Sequence, residues 1–320
     1  MFPRNYKKIS KIKRFILKIL NVYALDKESL NLVNPDYKNV NSNYFSLNDK
    51  SIILSKGYLN LDRKIENLDI YYRYAPNNQL WNSTDRWKRI IPNINKKQLI
   101  LTSLISLNAS ILNFLEEHKL NITLNLISDV SDDEFDNEIL KKFDDKKINL
   151  KFIKSKIKGN RGTYLECCDC AENAKDLIFF IEDDYLFEDN CIEEMIFTYS
   201  RLSTLFKKDI FLCPSDYPFY YDSSYNTSIY IGMNYKWRDV KETLLTFMFS
   251  KNVLNDYRNN IRLVGEKIND PFEKPLHDIY SKEKCLAPVG SLSYHINRHV
   301  PATTENWKDL WQKNFQKTVE

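Results

Sequence analysis

Three consecutive carboxylates follow one of the most apolar stretches of the chain. In the segment FFIEDDYLFED, Glu182, Asp183 and Asp184 come directly after an apolar run, residues 178–181, that predicts a buried strand. Carboxylates this close raise one another's pKa unless a cation lies among them. Hard oxygen ligands suit Mg²⁺ or Mn²⁺, which proteins bind through one or two carboxylates together with phosphate oxygens. The triplet therefore predicts a site for a divalent metal ion and a diphosphate, and the alternative is a solvated acidic turn.

Two other predicted strands end in residues that could bind a ligand. Asp129 follows the strand predicted for residues 121–128, and the strand predicted for residues 148–155 leads into the loop KIKGNRG. This loop holds Gly159 and Gly162, two of the six glycines of the chain, which would let the backbone approach a ligand closely. Ligands of open α/β sheets bind beyond the carboxyl ends of the strands, so we expect these residues and the acidic triplet to share one cleft.

The elements that must position these residues alternate along the chain. Strand patterns occupy residues 68–75, 121–128, 148–155, 177–184 and 209–216. Helix patterns lie between them at residues 96–118, 163–175 and 193–206, and a further strand and helix follow at residues 243–250 and 252–263. Alternating strands and helices with short connections predict an α/β fold with a doubly wound, mainly parallel sheet.

Charge is distributed unevenly along the 320 residues. Lys and Arg number 47 and Asp and Glu 43, but residues 1–20 hold seven basic residues and no acidic one, which leaves a net charge of −3 on the rest. A nucleic-acid-binding protein would spread basic charge over its folded body, so we expect no nucleic-acid partner. Apolar residues at helical spacing among these lysines predict a helix on an anionic membrane surface, and the alternative is a helix packed on its own domain.

Neither a membrane span nor a cysteine site is predicted. No apolar run approaches the roughly 20 residues that cross a bilayer. Three of the six cysteines crowd into the segment ECCDC, where disulfides between near neighbours would be strained. A zinc site would need a second pair of ligands elsewhere. We therefore expect reduced, buried thiols in a cytoplasmic protein, with residues 1–20 giving it a peripheral contact at the inner face of the membrane.

In order and spacing, these segments resemble the GT-A glycosyltransferases, especially the family-2-like inverting enzymes. Those enzymes carry an Asn-x-Gly loop, a helix and an apolar strand ending in an Asp-x-Asp motif, and NRG followed by LIFFIEDD is similar. The segment LISDVSDDEF resembles their acidic turn after the second strand, and TLLTFMFSKNVL resembles the start of their acceptor half. SLSYHI resembles a late segment that often supplies a metal-ligating histidine. The resemblance covers residues 68–300.

The resemblance implies which residues bind the nucleotide sugar. These are Arg73, Tyr74, Asp129, Asn160, Arg161, Gly162, Glu182 and Asp183. Among them, Asp129 would contact the nucleobase or the ribose, and Glu182 or Asp183 would face the ribose. Asp184 would bind Mn²⁺ or Mg²⁺, and His295 would complete the coordination of the ion through a neutral imidazole. The alternative for His295 is a structural histidine.

The chain also departs from the family pattern. ECCDC stands where the family usually has Ala-Arg-Asn, so the nucleotide contact of that arginine would fall to Arg161. The first acidic residue is Glu182 rather than aspartate, and PLHD is the nearest equivalent of the usual Glu-Asp before the acceptor helix. An inverting transfer needs a base that takes the proton of the acceptor hydroxyl. Asp278 is the candidate and His277 its rival, while the structural alternative for Asp278 is an N-cap of a helix IYSKEK.

Together these features predict an activity and an organisation. Residues 1–66 would form a basic, Asn-rich appendage, residues 67–216 the nucleotide-sugar-binding half of a GT-A domain, and residues 217–320 the acceptor side and tail. The expected activity is metal-dependent transfer of a sugar from a nucleotide-diphosphate donor to a glycan or lipid-linked acceptor, with inversion. One alternative is a sugar-phosphate nucleotidyltransferase, although YRYAPNN lacks the Gly-rich basic loop usual in those enzymes. The other is a non-catalytic glycan-binding protein on the same fold.

Overall fold

The computed structural model describes residues 61–77, 91, 94–129, 132–143, 147–221, 227–296 and 307–319. The chain divides into two compact units, Met1–Asp62 and Arg63–Glu320. Nearly all of the first unit, including the helix and membrane contact predicted for residues 1–20, lies outside the described residues. The described strands and helices all belong to the second unit.

Eleven strands and seven α-helices make up the described part of this unit. The strands are β1 Asn67–Tyr74, β2 Asn121–Ser128, β3 Asn149–Lys154, β4 Leu177–Glu182, β5 Tyr185–Phe187, β6 Phe211–Leu212, β7 Ile229–Ile231, β8 Lys236–Asp239, β9 Phe247–Ser250, β10 Cys285–Val289 and β11 Ser293–His295. The helices are α1 Lys96–Glu117, α2 Asp133–Lys142, α3 Gly159–Ala171, α4 Cys191–Phe206, α5 Lys251–Glu266, α6 Lys274–Tyr280 and α7 Trp307–Val319.

Nine of these strands form one sheet in the order β3-β2-β1-β4-β9-β6-β10-β8-β7, and β5 and β11 form a separate antiparallel pair. Strands β3, β2, β1 and β4 are parallel neighbours, as are β6 and β10. Strands β8 and β9 run antiparallel to their neighbours. The predicted α/β fold with a mainly parallel sheet is therefore confirmed, with two reversed strands in its second half.

Helices cover both faces of the sheet, as the tyrosines of β1 show. Tyr71 donates a hydrogen bond to the Cys170 carbonyl of α3 at 3.2 Å, whereas Tyr72 donates to the Ser103 hydroxyl of α1 at 2.9 Å. Consecutive side chains of a strand point to opposite faces, so α1 and α3 lie on opposite sides of β1. Burial on both faces explains why β4 is a continuous apolar run rather than an alternating one.

Helix α1 contains a longer apolar run than any expected from the sequence. Among the described helices, it is the one long and apolar enough to cross a membrane by length and composition, but 61% of that apolar window is buried inside the protein. The expectation that no apolar run has this length was therefore wrong. Helix α7 packs on α1 and brings Trp307, Leu310 and Trp311 into a cluster with Leu99. Burial between the sheet and α7 accounts for the apolar composition of α1 without a membrane.

The predicted loop KGNRG is helical from its first glycine. Helix α3 begins at Gly159, four residues before the predicted start, so Asn160 and Gly162 lie in its first turn. Gly159 has a φ of +88°, a conformation that favours glycine and lets the chain turn sharply into the helix. Gly162 is buried because the helix crosses close to Ile157, and a Cβ atom there would clash with the Ile157 carbonyl. The two glycines therefore serve the entry into the helix and its close packing on Ile157.

The second half of the unit differs most from expectation. The strand predicted for residues 209–216 is reduced to the two residues of β6, and that predicted for residues 243–250 is reduced to β9. Strands β7 and β8 and helix α7 were not predicted. These strands are three and four residues long, too short for an alternating pattern to be read reliably from the sequence.

We predict that Gly162→Ala destabilises the protein, although alanine favours helices over glycine by about 1 kcal/mol. The clash with the backbone of Ile157 should cost about 1–3 kcal/mol and outweigh that gain. Urea unfolding should show a lower free energy of unfolding, whereas the exposed Lys158→Ala should change it by less than about 0.5 kcal/mol. Equal or greater stability of Gly162→Ala would contradict the close packing of α3 on its entry segment.

Candidate active site

Each carboxylate of the acidic triplet faces a cation of its own. Arg73 Nη2 lies 2.6 Å from Glu182 Oε1, and Lys96 Nζ lies 2.6 Å from Asp183 Oδ1. His295 Nε2 lies 3.0 Å from Asp184 Oδ2. The three cations come from β1, from the first residue of α1 and from β11. The charge of the triplet is therefore balanced by the protein itself.

Strand pairing explains why Arg73 meets Glu182. The two residues are direct partners in the parallel register of β1 and β4, at the carboxyl end of both strands. Arg73 is only 4% exposed, and its Nη1 atom also donates to the backbone carbonyl and to the side chain of Asn160. Its guanidinium lies 5.7 Å from the centre of the Tyr164 ring. Arg73 thus joins β4 to the first turn of α3.

The Asp184–His295 contact depends on the small sheet of β5 and β11. His295 pairs with Tyr185 across these strands, and the Ile296 amide donates to the Asp184 carbonyl at 2.7 Å. The imidazole stacks on the Tyr185 ring with centroids 4.7 Å apart and an interplanar angle of 12°. The Tyr185 hydroxyl is hydrogen-bonded to that of Tyr217 at 2.6 Å. The histidine is therefore held in one orientation against the last carboxylate.

The three carboxylates differ in how easily they ionise. Burial raises the pKa of Glu182 and of Asp183, and the Arg73 and Lys96 charges only partly oppose that shift. Burial would also raise the pKa of Asp184, but the adjacent His295 holds it at about 2. The pKa of His295, which burial alone would lower, is raised by Asp184. Asp184 is therefore the most readily ionised of the three carboxylates.

The donor set at Asp184 and His295 fits a divalent ion. The Oδ1 atom of Asp184 is buried and has no hydrogen-bond partner among the described residues, so an acceptor remains to be satisfied. Two ligands about 2.1 Å from one octahedral ion are about 3 Å apart at right angles, which matches the separation of Asp184 Oδ2 and His295 Nε2. Asp184 and His295 would hold such an ion. Glu182 and Asp183 would stay paired with Arg73 and Lys96.

The other residues predicted for the nucleotide make mainly internal contacts. Asp129 Oδ1 accepts the Gly159 amide at 2.7 Å, which fixes the start of α3 beside the end of β2. Tyr74 donates to Asp136 at 2.6 Å, and Arg161 Nε donates to the Gly265 carbonyl at 2.8 Å. Arg73, Asn160 and the acidic triplet therefore form one network, whereas Tyr74, Arg161 and the buried Gly162 contact their own surroundings.

The predicted catalytic residues lie on α6. Asp278 is 57% exposed in its side chain and pairs with Lys274 at 2.8 Å. It lies inside the helix, so the alternative that it caps a helix IYSKEK is wrong, and Glu273 stands at the N-cap position instead. His277 Nε2 is 3.2 Å from the Thr243 carbonyl. Neither side chain makes a described contact with the acidic triplet.

Sequence reasoning missed two residues of this site. Glu273 interacts electrostatically with Glu182, Arg73 and His295, and burial together with the Glu182 charge raises its pKa to about 7. In the sequence, Glu273 is marked only as an acidic residue directly before a helix that contains proline. Lys96 was overlooked because KK at a helix start is typical of a solvated end. Three adjacent carboxylates need a cation nearby, and this need was the signal that could have indicated a role for Lys96.

No protein-family model matches the chain. Among curated proteins, the guanylate kinase of Wigglesworthia glossinidia brevipalpis is 33% identical over 99 residues, which is 31% of this chain and 44% of that protein. The chain thus spans less than half the length of this relative. The sequence G-x-x-x-x-G-K-[ST], the phosphate loop of P-loop enzymes, does not occur in the chain.

Several solved structures are similar at low identity. TarS residues 1–349 from S. aureus in complex with UDP has 11% identity and a TM-score of 0.46, over 79% of this chain and 65% of that one. UDP-glucose pyrophosphorylase complexed with UDP-glucose has 10% identity and a TM-score of 0.44, over 80% and 99%. The glycosyltransferase GlyE of Streptococcus pneumoniae has 9% identity and a TM-score of 0.42, over 80% and 64%. Scores this low carry no function, so function is inferred below from the residues of the site.

We predict that Lys96→Met destabilises the fold because it leaves the buried Asp183 carboxylate without its cation. Removing one partner of a buried pair costs about 3–5 kcal/mol, and the double variant Lys96→Met/Asp183→Asn should recover much of that loss. The matched control is Lys97→Met, whose pair with Asp132 is 40% exposed on the lysine side and should be worth less than about 1 kcal/mol. Equal effects of the two single variants in chemical unfolding would show that Lys96 has no special role.

Proposed function

We propose that this chain is a glycosyltransferase of the GT-A type, which transfers a sugar from a nucleotide-diphosphate donor in a metal-dependent, inverting reaction. The observation that carries the proposal is the Asp184–His295 pair at the carboxyl end of β4. It has the spacing of two ligands of one ion and leaves a buried carboxylate oxygen unsatisfied. A glycan or lipid-linked molecule is the proposed acceptor.

The surroundings of the pair support a nucleotide donor. Strands β1, β2 and β4 end side by side, so Arg73, Asp129 and Glu182 stand at one rim of the sheet, where ligands of open α/β sheets bind. Arg73 and Asn160 bring a cation and an amide to the same point. In this proposal the Arg73–Glu182 network positions the nucleoside, and Asp184 with His295 lies nearest the diphosphate.

A bound divalent ion would supply charge stabilisation for the departing diphosphate. The protein must also remove a proton from the acceptor hydroxyl, and Glu273 is better suited to this than the predicted Asp278. Its pKa of about 7 leaves a carboxylate that is basic enough to accept a proton near neutral pH. Asp278 is instead exposed and paired with Lys274. We therefore assign the role of general base to Glu273, which stands directly before α6.

A product assay tests this function directly. With Mn²⁺ and a panel of nucleotide sugars, a glycosyltransferase releases the nucleoside diphosphate, alone or with acceptor. A sugar-phosphate nucleotidyltransferase would instead release pyrophosphate from a nucleoside triphosphate and a sugar phosphate. Release of pyrophosphate, or tight donor binding with no turnover, would contradict the proposal and favour one of the two alternatives.

Location remains a separate proposal. A cytoplasmic enzyme held at the inner face of a membrane by residues 1–20 would suit a lipid-linked acceptor, because each basic residue near an anionic surface contributes about 1 kcal/mol. This attraction is screened beyond about 8 Å at physiological salt. Binding of the full chain to anionic liposomes would therefore weaken as salt is raised.

We predict that Glu273→Gln lowers kcat by about 10²–10⁴-fold, the usual contribution of a general base, with little effect on donor affinity. A base acts only when ionised, so kcat/KM of the parent should rise with pH and level off above about 7. The variant should lose this dependence.

The matched control is Asp278→Asn, on the same helix, which should leave both kcat and the pH profile nearly unchanged. A large loss of kcat in Asp278→Asn, with normal turnover in Glu273→Gln, would return the role of base to Asp278.

A further inference from the structure

The strands that bring His295 to Asp184 form a sheet of their own. Strands β5 and β11 pair with each other and are separate from the nine-stranded sheet of the described residues. An isolated two-stranded ribbon is at best marginally stable in water, so it needs another element packed against it. The Asp184–His295 pair therefore depends on what supports this ribbon.

The two faces of the ribbon belong to different hydrophobic clusters. Tyr185 lies in the main cluster of the protein, and His295 is its direct partner across the strands. Directly paired residues share a face of a sheet, whereas successive residues alternate between the faces. Leu186, Tyr294 and Ile296 accordingly lie in a second, smaller cluster. One face of the ribbon thus presents His295 to the site, and the other points away from it.

Helix α7 covers the face that points away from the site. The buried side of this helix is formed by four residues at helical spacing, Trp307, Leu310, Trp311 and Asn314. The three apolar ones are each 7–8% exposed and belong to the second cluster. The helix contacts β5 as well as α1. Helix α7 therefore packs directly behind the ribbon.

The same cluster reaches the cation of Asp183. Ile94 and Leu99 belong to it and lie on either side of Lys96 in the chain. Lys96 is paired with Asp183, so two of the three cations of the site are carried by segments that pack in the second cluster. Arg73 differs, because it lies on β1 of the large sheet. Loss of α7 packing should therefore disturb the metal end of the site and spare the Arg73 end.

Apolar packing, rather than charge, attaches α7. Lys313 of this helix pairs with Asp189, but both side chains are about half exposed, and exposed ion pairs add little stability. Trp311 is nearly buried, and its ring stacks on that of Phe315 with centroids 5.9 Å apart. Truncating Trp311 should loosen α7, whereas removing the Lys313 charge should not.

We propose that α7 positions the metal-binding pair: by packing behind β5 and β11, Trp311 and its neighbours hold His295 against Asp184 in the geometry that a divalent ion requires. This role rests on the proposed function, in which the pair binds Mn²⁺ beside a nucleoside diphosphate. Changes in residues that support metal ligands typically lower metal affinity about 10–100-fold. Trp311 is thus a positioning residue, which acts through His295 rather than by touching the ion.

Calorimetric titration of the full chain with UDP and with GDP, with and without Mn²⁺, tests this role. In Trp311→Ala, the tightening of nucleotide binding by Mn²⁺ should fall by about tenfold or more. Affinity for the same nucleotide without Mn²⁺ should stay unchanged, because the Arg73 end of the site does not depend on α7. Trp311→Phe keeps an aromatic ring in the cluster and should retain most of the Mn²⁺ effect.

Two controls separate positioning from stability. Lys313→Met lies on the same helix but outside the cluster, and it should bind like the parent. Leu202→Ala removes a buried side chain of α4 in the main cluster; it should lower the thermal unfolding temperature but leave the Mn²⁺ effect intact. An equal loss of the Mn²⁺ effect in Trp311→Ala and Leu202→Ala would indicate a general loss of stability and overturn the proposal.

Hydrogen exchange gives a readout that needs no metal. The Ile296 amide donates to the Asp184 carbonyl at 2.7 Å and so reports directly on the junction of the two strands. In Trp311→Ala, the amides of residues 185–187 and 293–296 should exchange faster than in the parent, while those of β1, β2 and β4 should not change.

The outcomes distinguish this role from the proposed function. No Mn²⁺ effect in the parent would contradict the proposed function and, with it, a metal role for α7. A Mn²⁺ effect of parental size in Trp311→Ala, or unchanged exchange of residues 293–296, would overturn the positioning role alone.

Discussion

The partial burial of Glu182, Asp183 and Asp184 at the end of β4 is the constraint on which the rest of the structure depends. A carboxylate removed from water without a partner costs several kcal/mol, and three adjacent ones also repel each other. The fold meets this constraint by bringing one cation to each carboxylate from a different element. The cluster is a defined site because the fold fixes the positions of the cations as well as those of the carboxylates.

Several features of the fold follow from that requirement. Parallel pairing of β1 with β4 puts Arg73 opposite Glu182, and the start of α1 delivers Lys96 to Asp183. The pairing of β5 with β11 brings His295 to Asp184 from more than a hundred residues away. Two of these pairings neutralise charge through strongly basic groups. The third uses an imidazole, which can give up its proton and become a metal ligand.

The parts that sequence predicted well are those with a long apolar signal. Strand β2 was predicted to the residue, because a continuous buried run bounded by polar residues has few other interpretations. The start of α3 was missed because Gly159 and Gly162 suggest a loop, whereas close packing on Ile157 requires glycine within the helix itself. Local patterns cannot show a requirement that arises from a neighbouring segment.

The candidate site was predictable to a similar extent. The acidic triplet and His295 could be proposed from order and residue type, but Lys96 and Glu273 acquire their significance only through contacts far apart in the sequence. Burial and the nearby Glu182 charge raise the pKa of Glu273, an environment that its position in the sequence does not indicate.

The central claim is that Asp184 and His295 bind a divalent ion together with a diphosphate. Calorimetric titration of UDP and GDP, with and without Mn²⁺, tests it most directly in the parent and in Asp184→Asn. The account predicts that Mn²⁺ tightens binding of one of them by at least about tenfold, or 1.4 kcal/mol, in the parent and has no such effect in the variant. An equal Mn²⁺ effect in both proteins, or none in the parent, would contradict it.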